Sequence, residues 1–195
     1  MRPVIPILAA LALAAPVQAQ TAPPPCLLGG PFDAAVAALG DAGWTVLDPG
    51  APVPEDAAER LGWALVATYM AADTGGASLS ELHDLQRRAV AGLARKRDTD
   101  ATRARVAVRE GAALTMSRTT TLPGRVEQTC RIALDGLAAR AYPEGFGPPE
   151  TSRVGEAEVI VQPLDPGALS FLTDRPVAVA TLIETRTILS EEDTR

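Results

Sequence analysis

The stretch that decides the fold is "RARVAVREGAALTMSRTTTLPGRVEQTCRIALD", residues 103–135. Its side chains alternate with a period of two, the spacing of a strand with two unlike faces. Ala104, Val106 and Val108 alternate with Arg103, Arg105, Ala107 and Arg109. Leu114 and Met116 then alternate with Thr115, Ser117 and Thr119. Val126, Cys130, Ile132 and Leu134 alternate with Arg125, Glu127, Thr129 and Arg131. The connections "GA" and "LPGR" are short and carry turn residues. Three strands joined this way predict an antiparallel meander with one dry face and one wet face, with Cys130 on the dry one.

Upstream of this stretch the period is helical. In "PFDAAVAALGDAG", Phe32, Ala35, Val36 and Leu39 share a face, Pro31 suits a first helical position and Gly43 a stop. "WTVL" reads as a short strand and the proline-rich "DPGAPVPED" as a loop. "EDAAERLGWALVATYMAAD" reads as a second helix, acidic in its first turn. "SLSELHDLQRRAVAGLARKRD" reads as a third, with a capping box at Ser78 and Glu81 and a stripe of Leu82, Leu85, Ala89 and Leu93. Downstream, two more strands are expected near 154–162 and 176–188, joined by the loop "LDPGALSFLTD"; the last starts centrally and finishes at an edge. The expectation is an α+β fold: about three N-terminal helices packed on an antiparallel sheet of about five strands. A single domain spans 31–189, after an extended proline-rich leader at 20–30 and before a polar tail at 190–195. This order of elements resembles the cone-shaped sheets of the nuclear-transport-factor-2-like type, a likeness that implies a fold and no function.

Residues 1–19 have the form of a secretory signal. Arg2 precedes a short apolar run, and Val17-Gln18-Ala19 gives the small-x-small cleavage pattern. The run is too short for a membrane span, which needs about 20 apolar residues. The expected location is therefore the bacterial periplasm or the medium, with no span after signal cleavage. Cys26 stands six residues beyond Gln20, behind three prolines, so it is not placed for lipidation at the cleavage point. The only other cysteine is Cys130. In an oxidising compartment the two are expected to form a disulfide. It would close a loop of about 105 residues, worth about 4–5 kcal/mol in chain-entropy terms.

Charge and composition exclude several functions. The formal net charge is −6, and losing Arg2 with the signal makes the chain more acidic still. Nucleic-acid binding needs clustered Lys and Arg, and this chain has a single lysine, Lys96. One histidine and two cysteines make no zinc site. No metal or cofactor is implied.

The residues that carry chemistry allow more than one reading. His83 is the only histidine, and thus the one side chain with an unperturbed mid-range pKa; its expected place is the surface or boundary beside the apolar stripe. Asp73-Thr74-Gly75 resembles an aspartic-protease triplet, but its preceding residues have a helical period and no second copy exists, so it reads as a helix end. "SRTTTLPG" and "ETRTIL" are Thr/Arg ladders that bind an extended partner if they lie at a sheet edge, and are ordinary wet faces otherwise. Arg118, Arg125, Arg131 and Arg186 form a cationic stripe for an anionic ligand if their strands are neighbours; Glu127 and Glu184 would equally satisfy them. In "YPEGFGPP", Tyr142 and Phe146 are either the rim of a lid or the anchors of a loop.

Three functions follow in order. The first is a non-catalytic exported protein that binds another envelope protein or peptide through a sheet face or edge strand. The second is a small-ligand carrier or sensor with a cavity between helices and sheet, gated by residues 142–149. The third is a hydrolase using His83 or Asp73.

Overall fold

The structure is a computed structural model that describes residue 26 and residues 30–69, 76–93, 98–99, 101–136 and 142–190. The signal, Asp73 and the tail from 191 lie outside the described residues. The fold is α+β. The elements in chain order are α1 (Phe32–Asp41), β1 (Thr45–Val46), α2 (Glu55–Tyr69), α3 (Gly76–Leu93), β2 (Thr102–Arg109), β3 (Ala112–Leu122), β4 (Arg125–Asp135), β5 (Glu150–Val154), β6 (Ala157–Pro163), α4 (Pro166–Thr173) and β7 (Val179–Ser190). All strands join one sheet in the order β1-β2-β3-β4-β7-β6-β5, and every pairing is antiparallel. None of the described helices is long and apolar enough to cross a membrane.

The meander falls where the alternation places it. Gly111 and Gly124 turn its corners with φ of 65° and 77°, a region open to glycine and strained for other residues. The counts of the other elements exceed the expectation. The run from residue 154 is two strands, because Gly155 (φ 61°) reverses the chain and leaves Val154 in β5. The predicted loop 164–174 contains α4. Asp165 caps it by accepting a hydrogen bond from the Ala168 amide at 3.0 Å, and Pro166 takes its first position. Pro31 is the N-cap of α1 rather than its first helical residue. α3 starts at Gly76, so Ser78 lies inside its first turn and not at a cap.

The larger correction concerns the sheet faces. Register puts Ala107, Leu114 and Ile132 in one cross-strand row and Met116 and Cys130 in the next. These side chains pack with Cys26 and with Phe32, Ala35 and Leu39 of α1. Val106 and Ala113 point the other way, to Ala57, Ala58 and Leu61 of α2 and Val90 of α3. Ala133 and Leu182 share that second face with Trp63, Leu79 and Leu169. The sheet is thus covered on both sides, and the apolar residues of β2 and β3 that alternation assigned to one dry face belong to opposite faces. Alternation within a strand cannot reveal this; only register between strands does.

The disulfide Cys26–Cys130 forms, with α-carbons 5.7 Å apart. Hydrogen bonds reinforce it. Gln128 Nε2 donates to the Cys26 carbonyl at 2.9 Å, and Arg118 Nη2 donates to the Gly30 carbonyl at 2.8 Å. Arg118 also donates to Gln128 Oε1. Burial pushes the Arg118 guanidinium below its ordinary pKa, helped by the charge of Arg103. Over α1, the Phe32 ring receives Arg103 at 4.6 Å and Arg105 and Arg118 at 5.5 Å.

Candidate ligand cavity on the helix-covered face

One cross-strand row organises the face under α2 and α3. Val106, Thr115, Arg131, Glu184 and Ile160 stand directly opposite one another across β2, β3, β4, β7 and β6. Two cavities lie along this row and share Arg131. The larger holds about 280 Å³, just under the usual range for drug-sized ligands and roomy enough for a smaller molecule. Leu47, Leu65, Leu93 and Val106 give it apolar walls between helices and sheet, and Thr115 and Ser117 give it hydroxyls. The smaller, about 200 Å³, is bounded by Thr68, Ile160, Gln162, Glu184 and Arg186.

Glu184 ties the row to the helices. Its carboxylate accepts from Arg131 Nε at 2.7 Å, from Thr68 Oγ1 at 2.9 Å and from Arg186 Nε. Burial alone would push the Glu184 carboxyl up. The Arg131 charge, the Thr68 hydroxyl and Arg186 outweigh it and hold the group below its ordinary range. One carboxylate thus bridges two guanidinium groups, and Glu127 and Glu158 add their charges on the Arg186 side.

The predicted arginine stripe is therefore divided. Arg131 and Arg186 meet at Glu184. Arg118 is on the opposite face, clamping the N-terminal segment, and Arg125 is exposed at the start of β4. Neither Tyr142 nor Phe146 lines the larger cavity, and of the loop 142–149 only Pro149 reaches the smaller. Phe146 packs against the Trp63 cluster, and the Tyr142 ring covers Gly147 so closely that a Cβ there would stand 2.6 Å from its Cζ. The Thr/Arg ladders are on β3 and β7, both interior to the sheet; the exposed terminal strand is β5.

His83 is not at a boundary. It is 0% exposed, stacked on Trp63 with ring centroids 4.3 Å apart, and its Nε2 donates to the Glu59 carbonyl at 3.0 Å. The apolar stripe expected on this helix is turned: Leu79, His83 and Val90 are buried, whereas Leu85 is 53% exposed. A general base must reach the proton it takes, and a sealed imidazole gives no support to a hydrolase centred on His83; Asp73, the other residue of that reading, lies outside the described residues. Among the described residues, no group of His, Cys, Asp and Glu side chains is placed to hold a metal ion.

Sequence reasoning picked out Arg131 and Arg186 but missed Thr68, Thr115 and the central part of Glu184. The signal that finds Glu184 and Thr115 is register: once β4 is set between β3 and β7, Arg131 falls opposite both. No family model, no curated protein and no solved structure matches the chain.

Proposed function

We propose that the mature chain is an exported, non-catalytic protein that binds a small ligand in the cavity between α2, α3 and the sheet. The observation that carries this reading is a space of about 280 Å³ walled mainly by leucine, valine and alanine, with a few polar groups, Arg131 and Thr115 among them, on its sheet side. Concave, mostly apolar sites with a few oriented polar groups are the usual form of a ligand pocket. Export is supported by the signal-like leader and by a disulfide that ties the N-terminal segment to β4.

The test is a neutral apolar probe. 1-Hexanol added to the disulfide-bonded protein is expected to shift the methyl resonances of Leu65 and Leu93. Ala104→Leu, which extends a side chain into the cavity from β2, is expected to abolish those shifts while the protein stays folded. Shifts absent from the unaltered protein, or unchanged in Ala104→Leu, would refute the reading.

A second reading is favoured by one observation. All five residues of β5 are exposed, and β6 is its only partner strand among the described residues. An envelope peptide added along that edge is the reading for a protein partner. Adjacent amides of a strand point to opposite sides. Of Thr151→Pro and Ser152→Pro, therefore, one removes an outward donor and spares the pairing to β6. A partner captured by the unaltered protein and lost with that variant alone would support the edge; one retained by both variants would not.

A further inference from the structure

We infer that the ligand class of this cavity is a small monocarboxylic acid, its carboxylate held by Arg131 and its apolar body lying between Leu65, Leu93 and Val106. This inference rests on the cavity reading above and adds the chemistry of the ligand. Arg131 uses its Nε for Glu184, and its two Nη groups have no hydrogen-bond partner among the described residues. Those two groups form the end-on fork that a carboxylate meets with both oxygens. Beside it, the Thr115 side chain lines the cavity, is only 8% exposed and has no hydrogen-bond partner among the described residues. A hydroxyl so placed can donate to an acceptor held in the cavity.

The Arg131 fork sets the sign, and the cavity's own acid limits the number. Arg186 is balanced by Glu184 and by the charges of Glu127 and Glu158, so the group of the row that is open to an anion is Arg131. The other cation lining the larger cavity, Arg105, is already held by Asp98 at 2.7 and 2.8 Å. Asp48 is the only acid lining that cavity. It stands against a second anionic group, which is why the ligand is a monoanion. Apart from Gln86 and Ser117, the remaining walls are apolar and fit a short hydrocarbon body.

Hexanoate and hexanamide form the test pair, because they match in size and differ in charge. Their dissociation constants are measured by ligand-observed NMR on the disulfide-bonded protein, with 1-hexanol run in the same buffer. Hexanoate is expected to bind at least tenfold more tightly than hexanamide. In Arg131→Gln the ratio should fall to about one while 1-hexanol binding persists. If that variant fails to fold, Arg131→Lys keeps the charge opposite Glu184 and loses the fork. There, hexanoate should weaken at least threefold with hexanamide unchanged. If 1-hexanol binds but hexanoate and hexanamide bind alike, or the preference survives the Arg131 variants, the carboxylate inference is overturned and the cavity reading stands. If none of the three binds, both fall.

Discussion

Gly62 sits within α2, where helix propensity alone predicts that alanine would be better by about 1 kcal/mol. The packing predicts the opposite sign. A Cβ at Gly62 would come 2.8 Å from His83 Nε2 and 3.1 Å from its Cδ2. The imidazole cannot swing away, because Trp63 stacks on it and the Glu59 carbonyl accepts from Nε2. Gly62→Ala is therefore expected to destabilise the protein by about 1–3 kcal/mol in urea unfolding, as overpacked cores do. His83→Ala should also destabilise, by leaving a cavity beside Trp63. The double variant should cost clearly less than the sum of the two, since the second change removes the clash made by the first. Additive costs would mean that the ring does not set the helix contact. The misjudged place of His83 in the sequence has the same origin. Histidine counts as polar in a periodicity argument, yet stacked on an indole with one nitrogen hydrogen-bonded it fills an apolar site.

At the scale of elements, the segment before β2 is tied down by Asp98. The Arg105 guanidinium donates to it, and together with the nearby Arg103 charge it outweighs desolvation and lowers the Asp98 pKa from 3.8 to about 2. A carboxyl with a depressed folded pKa contributes stability above its unfolded value and loses it as pH falls through the folded value. The stability difference between the protein and Asp98→Asn should thus be constant above about pH 5 and shrink progressively between about pH 5 and pH 1. Urea titrations at pH 6, 4 and 2.5 measure this, and a difference that does not shrink on acidification would contradict the assignment. The helices, the meander and the bridge were legible because each rests on local signals: period, turn residues and two isolated cysteines. β5 and α4 were not read, although their signals were present. Gly155 breaks the run that was read as one strand, and Asp165-Pro166 is a cap followed by a first-position proline. The candidate site was legible only in its arginines. Their grouping depends on the pairing of β4 with β7, which sets Arg131 opposite Glu184, 53 residues away.

At the scale of the molecule, the sheet is a partition with α1 and the bridged N-terminal segment on one side and α2, α3 and α4 on the other. The two sides are held differently. The α1 side depends on one covalent link and on the Arg118–Gln128 pair that receives the Cys26 and Gly30 carbonyls. Replacing both cysteines with serine is expected to cost about 2–5 kcal/mol in urea unfolding. It should leave 1-hexanol binding unchanged, because no residue of α1 lines the larger cavity. Loss of binding along with the bridge would mean that the two faces are coupled.

The most direct test is a crystal structure of the disulfide-bonded protein grown with hexanoate. Density for the carboxylate within hydrogen-bonding distance of the Arg131 Nη atoms and of Thr115, with the chain running toward Leu65 and Leu93, is the predicted result. A cavity closed by its own side chains, or hexanoate bound elsewhere with Arg131 untouched, would contradict it.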